Sequence, residues 1–189
     1  MHNDMTTLDI IQQWDPDRRA VLFIDGANLY AVCRAMRVTI DYRRMLSFFG
    51  TYCDLVQALY YTAIKEDEDT NVHKLVSWLD YNGYNVVQKP ARTFTDDEGN
   101  ERTKGNMDME MAVDMMQMAT CRNPMEHAIL VSGDGDFAYV IEALQKQGVR
   151  VSVLSTMATR PPMVANLLRK RANHFLELSE IIKQINKSD

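Results

Sequence analysis

The stretch HAILVSGDGDFAYVIEAL, residues 127–144, joins an apolar run to an amphipathic run through a short acidic loop. Its first seven residues are typical of a strand buried on both faces, because the apolar residues follow one another without alternation. Apolar residues then recur at helical spacing, which predicts a helix over 136–147. Asp134 and Asp136 lie between glycines where the predicted strand ends. This stretch is therefore a strand, an acidic loop and a helix in succession.

The same succession recurs along the chain. Further apolar runs predict strands at 20–24, 54–64, 84–89 and 149–155. Helical spacing is found over 27–36, 41–50, 70–82 and 107–121. The last part of the chain predicts a short helix, a strand at FLEL (175–178) and a closing helix. Strands that alternate with helices of this length favour an α/β fold, in which helices cover both sides of a mostly parallel sheet.

One segment departs from this alternation. In ARTFTDDEGNERTKG, residues 91–105, threonine and aromatic residues flank an acidic turn that contains glycine, which predicts an inserted, protruding hairpin. The acids expected towards the tip are Asp96, Asp97, Glu98 and Glu101. The basic residues expected towards the base are Lys89, Arg92, Arg102 and Lys104. Such a hairpin is either a solvated arm of mixed charge or a clamp for a substrate.

Length and charge limit the possibilities. The chain has 189 residues and a formal net charge of −5. This length predicts one domain with an N-terminal leader (1–17) and a C-terminal tail (181–189). The negative charge has the wrong sign for coating nucleic acid through bulk electrostatics. Any contact with nucleic acid must use local basic patches or bound cations.

Cysteine usage and the N-terminal segment indicate a compartment. The three cysteines are far apart in sequence and show no CxxC spacing. We therefore expect a reducing compartment and no structural zinc site. The first residues, MHNDMTTLDIIQQW, are polar and acidic and resemble neither a signal peptide nor a membrane span. A cytoplasmic protein without membrane contact is the expectation.

Two aspartates follow strands at the edge where open α/β sheets bind ligands. That edge is formed by the carboxyl ends of the strands, and the binding crevice lies where the strand order reverses. Asp25 follows the first predicted strand, and Asp134 follows the strand at 127–133. Asp25 and Asp136 can also be explained as N-caps of the helices that follow them. Capping does not explain Asp134.

A third aspartate begins the predicted helix at 107–121. At 100° per residue, Asp108 falls in the middle of the apolar stripe, whose members are Met111, Ala112, Met115, Met118 and Ala119. Glu110, Asp114 and Gln117 fall on the opposite, polar face. A carboxylate aimed at an apolar core is costly without a partner. Lys104 or a metal ion could be that partner, unless Asp108 turns out to solvent.

Several common phosphate and metal motifs are absent. The chain has neither a Walker loop nor GxGxxG, and the acidic loop fails the EF-hand pattern. Ala27 occupies the position where a haloacid-dehalogenase-like phosphatase needs a second aspartate. The remaining hypothesis is that Asp25, Asp108, Asp134 and Asp136 converge at one edge and bind Mg²⁺ or Mn²⁺, since their oxygens are hard ligands. Such an ion assists the hydrolysis of phosphodiesters in metal-dependent nucleases.

Three motifs, in order, closely resemble the NYN domain family, a branch of the PIN-like nucleases. They are FIDGANLY (23–30), KGNMDMEMAVDM (104–115) and LVSGDGDFAYVIEALQKQGVRVSV (130–153). The resemblance covers roughly residues 18–180. It implies a PIN-like three-layer fold and metal-dependent endoribonuclease activity.

The resemblance also implies roles for individual residues. The family's acidic positions, which are catalytic and bind the metal, fall on Asp25, Asp108, Asp134 and Asp136. Asn28, Ser132 and Lys104 match polar or basic positions of the motifs and are expected to contact substrate. Arg92 and Arg102, at the base of the hairpin, are expected to do so from their position and charge, because the resemblance says little about the hairpin. Asp114 matches a further acidic position, where it either supports the site or faces solvent.

Three functional hypotheses follow. The first is an endoribonuclease that cuts single-stranded or looped RNA, whose exposed phosphates can bend into a crevice. The second is a non-catalytic module that binds RNA or nucleotide in the same metal crevice. The third, a phosphoacceptor domain, is disfavoured because the chain has neither a second acid after Ile24 nor a lysine after VSVLST. The closing amphipathic segment is compatible with a homodimer.

Overall fold

A six-stranded parallel sheet forms the centre of the protein. The computed structural model describes residues 5–64, 70–95, 101–104 and 106–187. The sheet has the order β3-β2-β1-β6-β7-β8, and every neighbouring pair is parallel. Its strands are β1 Arg19–Asp25, β2 Asp54–Ile64, β3 Asn85–Pro90, β6 His127–Val131, β7 Arg150–Ser155 and β8 His174–Glu177. The prediction of an α/β fold with a parallel sheet is confirmed.

The predicted hairpin is also present and stands apart from this sheet. Its strands β4 (Arg92–Thr95) and β5 (Glu101–Lys104) pair in antiparallel register, with Arg92 opposite Lys104 and Thr95 opposite Glu101. The acids predicted for its tip, Asp96, Asp97 and Glu98, lie outside the described residues.

Helices cover both sides of the central sheet. They are α1 Thr7–Ile11, α2 Gly26–Met36, α3 Tyr42–Gly50, α4 Thr70–Tyr81, α5 Asp108–Thr120, α6 Ala138–Lys146, α7 Asn166–Arg171 and α8 Leu178–Ile185. Helices α1 to α4 and α8 share one apolar core with the sheet, and α5 to α7 share the other. None of the described helices is both long and apolar enough to cross a membrane.

Alternation along β1 explains the two cores. Leu22 and Ile24 are fully buried on the side of α2, whereas Val21 and Phe23 are buried on the side of α5. Successive side chains of a strand point to opposite faces, so a central strand needs apolar residues at every position. The uninterrupted apolar run that predicted this strand is therefore a consequence of helices on both sides.

Helices α1 and α8, the first and last of the described helices, pack against the sheet. Ile11 of α1 is fully buried in the same core as α8, and the backbone N–H of Thr7 donates to the Glu180 carboxylate at 2.6 Å. The segments assigned by sequence as leader and tail therefore contribute side chains to the core.

The strand order reverses between β1 and β6. From β1 the chain proceeds outwards to β2 and β3, and it then returns to the other side of β1 for β6, β7 and β8. In parallel sheets, such a reversal leaves a crevice at the carboxyl ends of the two central strands, because the loops that follow them diverge. Asp25 ends β1, and the loop that contains Asp134 follows β6.

Candidate metal centre

Asp25 links the first strand to the loop after β6. It is the N-cap of α2, and its Oδ1 accepts a hydrogen bond from the backbone N–H of Asn28 at 3.0 Å. Its Oδ2 accepts from the Ser132 hydroxyl at 3.0 Å. Asp25 is thus an N-cap, as one of the two explanations from sequence held. Its second oxygen also accepts from Ser132, a contact that capping does not require.

Asn28 and Ser132 hold the two diverging loops together. The buried Ser132 Oγ also accepts from the backbone N–H of Asp134 at 3.1 Å. The Asn28 side-chain oxygen accepts from the backbone N–H of Gly133 at 3.0 Å. A β-carbon at Gly133 would collide with the backbone carbonyl of Met163. A small set of polar contacts therefore holds together the loops beside the crevice between β1 and β6, around Gly133, where a β-carbon does not fit.

Three carboxylates converge at this edge. One oxygen from each of Asp108, Asp134 and Asp136 lies within 4.8 Å of the other two. Oxygen ligands of Mg²⁺ or Ca²⁺ lie at about 2.0–2.6 Å from the ion, so opposite ligands of one ion are separated by roughly 4–5 Å. The spacing of the three oxygens therefore fits a single hard cation.

Local backbone structure positions each member of this acidic triad, defined as Asp108, Asp134 and Asp136. The N-cap in this loop is Asp134 and not Asp136, contrary to the sequence prediction: Asp134 caps the 3₁₀ turn Gly135–Phe137, and its Oδ1 accepts from the backbone N–H of Asp136 at 2.9 Å. Asp108 begins α5, and its Oδ2 accepts from the Asn106 side-chain amide at 2.6 Å. The Asn106 oxygen in turn accepts from the Asp108 backbone N–H at 2.7 Å.

The electrostatics of this edge are those of an uncompensated cluster. Burial raises the pKa of Asp25, and the charge of Asp134 adds to the effect. Burial likewise raises the pKa of Asp108, with further contributions from the charges of Asp134, Asp25 and Asp136. In the part of the chain that the structure describes, none of the four acids forms an ion pair. A divalent cation would relieve this repulsion, so the donor set fits Mg²⁺ or Mn²⁺.

The structure places the predicted site residues in two groups. Asp108, Asp134 and Asp136 bring oxygens together, while Asp25 lies outside this close set and is tied to it through Ser132. Asn28 and Ser132 lie between the two loops, as described above. The side chains of Lys104, Arg92 and Arg102 lie outside the described part of the chain, so their contacts with substrate stay a prediction.

The polar face predicted for α5 is not simply a solvated face. Asp114 accepts a hydrogen bond from the buried Tyr61 hydroxyl at 2.9 Å, and Glu110 accepts from Lys89 at 2.7 Å. Tyr61 lies on β2 directly beside Asp25 in the strand register. The sequence left two roles for Asp114, support of the site or exposure to solvent. The structure shows a contact with a residue next to the site, and Asp114 is not part of the set of close carboxylates formed by Asp108, Asp134 and Asp136.

Asp108 does not face the apolar core, contrary to the expectation from the helical stripe. It lies half-buried at the first turn of α5, near the carboxylates of Asp134 and Asp136. Sequence reasoning also missed Asn106, which holds Asp108 on both its side chain and its backbone. An asparagine two residues before a helix-starting aspartate is a local signal for such a contact.

Residues 19–180 match the family model of the NYN domain. The chain is an NYN-domain protein. The NYN family belongs to the PIN-like nucleases, which use divalent metals, and it acts on RNA. The chain is similar to the low amplitude and bright protein LabA of Synechococcus elongatus, with 30% identity over 177 residues, 90% of this chain and 89% of that protein.

Among solved structures, the NYN-domain chain resembles a protein of unknown function from Vibrio parahaemolyticus. The TM-score is 0.73 with 23% sequence identity, and the match covers 93% of this chain and 99% of the other. Identity at this level shows a shared fold. Because the match covers 93% of this chain, the shared fold includes segments outside the acidic edge.

Proposed function

We propose that this NYN-domain protein is a metal-dependent endoribonuclease that cuts single-stranded or looped RNA at the carboxyl edge of its sheet. The observation that carries the proposal is the acidic triad, which lies beside Asp25 at the reversal of strand order. Membership of a family of PIN-like nucleases supports the same conclusion.

The residues of the edge divide into ligands and supports. Asp108, Asp134 and Asp136 would hold Mg²⁺ or Mn²⁺, with Asp25 next to them. A divalent ion held there would supply positive charge against the phosphodiester and would activate water for attack on phosphorus. Ser132 and Asn28 fix Asp25 and the loop 132–136 relative to each other through the hydrogen bonds described above. Lys104 and the base of the hairpin are proposed to hold the RNA backbone.

The test compares the wild type with Asp134→Asn. Each protein is incubated with structured and unstructured RNA in the presence of Mn²⁺, Mg²⁺ or EDTA. Asp17→Asn is a matched control, because Asp17 is an exposed aspartate just before β1, at the opposite edge of the sheet. We expect cleavage by the wild type and by Asp17→Asn with metal, and none by Asp134→Asn or with EDTA.

Other results separate the alternatives. Cleavage that survives Asp134→Asn or the chelator contradicts the proposal. RNA that binds in the presence of metal and stays intact supports the non-catalytic module that uses the same crevice.

A further inference from the structure

A large groove lies between α2 and α4, on the side of the sheet opposite the acidic helix α5. Its volume is about 900 Å³. Tyr42 and Tyr60, both largely buried, line its inner surface. No residue of the acidic triad lines this groove, so the groove is a separate feature of the surface.

The groove is basic although the whole chain is acidic. Its described lining contains one acid, Asp41, and five basic residues, namely Arg34, Arg37, Arg43, Lys74 and Lys187. The Asp41 carboxylate caps α3 by accepting from the backbone N–H groups of Arg43 and Arg44. Among the described residues, Arg34, Arg37, Lys74 and Lys187 have no ion-pair partner. A cluster of unpaired cations in a chain of net charge −5 indicates an anionic ligand.

The two helices present aromatic rings and cations in pairs. On α2, Tyr30 and Arg34 are one turn apart, and the guanidinium carbon lies 5.8 Å from the ring centroid. On α4, Lys74 and Trp78 are also one turn apart. Tyr30 is 64% exposed and Trp78 is 36% exposed. Both rings are therefore accessible to a ligand. Arg43 lies over Trp78, at 5.2 Å from its centroid.

Aromatic rings interleaved with cations match the chemistry of a single nucleic-acid strand. Bases stack on the rings, and the cations contact the phosphates between them. A protein partner of acidic sequence would satisfy the charges but would give the exposed rings no stacking surface. Duplex RNA keeps its bases stacked inside the helix, so it cannot use the rings either.

One end of the groove's lining lies next to Asp25. Tyr60 lies so close to Gly26 that an added β-carbon would be 2.6 Å from its ring. Gly26 directly follows Asp25, and Tyr30 lies one turn further along α2. The lining of the groove therefore reaches to within one residue of Asp25.

We propose that the groove between α2 and α4 binds single-stranded RNA next to the acidic edge. The identity of the ligand as RNA rests on the proposed function. The existence of a basic, aromatic strand-binding groove rests on Tyr30, Arg34, Lys74 and Trp78.

The test measures the affinity for a short fluorescein-labelled single-stranded RNA by anisotropy, in EDTA, so that cleavage and metal binding do not contribute. Trp78→Ala is expected to weaken binding roughly 5- to 150-fold, the range for loss of one base-stacking ring. Lys74→Glu is expected to weaken binding and to lower the slope of log affinity against log salt by about 0.7 or more.

Matched controls lie outside the groove. Tyr81→Ala removes a ring from the same helix that is 90% exposed and does not line the groove. Lys146→Glu makes the same charge reversal at the end of α6, on the other side of the sheet. Both controls are expected to keep the wild-type affinity. Lys74 is exposed, so its variant reports on binding even if Trp78→Ala fails to fold.

A direct readout comes from the tryptophan itself. The chain has two tryptophans, Trp14 and Trp78, so Trp14→Phe leaves Trp78 as the sole indole. Stacking of a base on Trp78 quenches its fluorescence as RNA is added. Absence of quenching at RNA concentrations that saturate the anisotropy contradicts the groove.

The outcomes separate this inference from the nuclease proposal. Suppose that the wild type cuts RNA with metal, while Trp78→Ala and Lys74→Glu bind RNA as tightly as the wild type does. This result would refute binding of RNA in the groove and would leave the nuclease proposal intact. Groove variants that lose binding in a protein that cuts no RNA support the groove and refute the nuclease. No binding of single-stranded RNA by the wild type overturns the groove.

Discussion

Ser132 is the buried contact between Asp25 and Asp134, and its removal should weaken both the fold and the site. Its hydroxyl donates to the Asp25 carboxylate at 3.0 Å and accepts from the Asp134 backbone N–H at 3.1 Å. In Ser132→Ala, the carboxylate loses one donor and the N–H loses its acceptor. A hydrogen bond to a charged group contributes about 1.5–3 kcal/mol, so we expect a loss of about 2 kcal/mol in the free energy of unfolding. For a chain of this length, that corresponds to a Tm about 4–8 °C lower.

The same substitution should reduce stabilisation by metal. Residues that orient metal ligands typically change metal affinity about 10–100-fold when they are removed. At saturating Mn²⁺, a tenfold weaker affinity lowers the stabilisation by about 1.4 kcal/mol, which is about 3–6 °C in Tm. Differential scanning fluorimetry, with Mn²⁺ and with EDTA, measures the Tm and the increment due to metal for each variant.

Ser152→Ala is the matched control. Ser152 is fully buried on β7, and its hydroxyl lies 2.9 Å from His127 Nε2 and 3.4 Å from His174 Nδ1, towards the opposite edge of the sheet. Its removal should lower the Tm while the increment due to Mn²⁺ stays as in the wild type. The reasoning is refuted if Ser132→Ala keeps the wild-type increment, or if both serine variants lose it equally.

Three further changes test other parts of the site. Gly133→Ala forces a β-carbon against the Met163 carbonyl, so we expect little folded protein on expression, whereas a wild-type Tm would contradict this packing. Burial and the neighbouring acids raise the pKa of Asp108 in the folded protein above its ordinary value of 3.8. The free energy of unfolding therefore falls as the pH rises from about 4 through the folded-state pKa, where Asp108 ionises. Asp108→Asn should therefore melt above the wild type in EDTA at neutral pH, and thermal melts over a pH series should show the difference vanishing near pH 4. Tyr61→Phe removes the bond to Asp114 and should lower the Tm by about 2–4 °C without changing the Mn²⁺ increment; a lost increment would make Asp114 part of the site.

The sheet and the residues at its edge were predictable because their causes are local. A strand covered on both faces needs apolar residues at every position, and this requirement is visible in the runs that end at Asp25 and before Asp134. Parallel strands bring their carboxyl ends to one edge, so two acids far apart in sequence could be expected there together.

Contacts between distant elements were not predictable in this way. Asp114 was assigned to a polar face by periodicity, but its partner Tyr61 lies 53 residues away on another strand. Nothing in the spacing of α5 indicates which strand side chain its polar face meets. The groove has the same origin, because Tyr30 and Trp78 come from two helices whose proximity depends on the sheet between them.

The bonds across the strand reversal have a consequence for synthesis. The contacts of Asp25 with Ser132 and of Asn28 with Gly133 span 107 and 105 residues. A nascent chain that has emerged only as far as α5 carries Asp25 and Asp108 but neither the central partner of β1 nor the remaining two acids. Closing loops of this length is slow compared with local structure formation, and it requires β6 to have left the ribosome. The acidic edge therefore assembles late, after β6 and the loop that carries Asp134 and Asp136 have been synthesised.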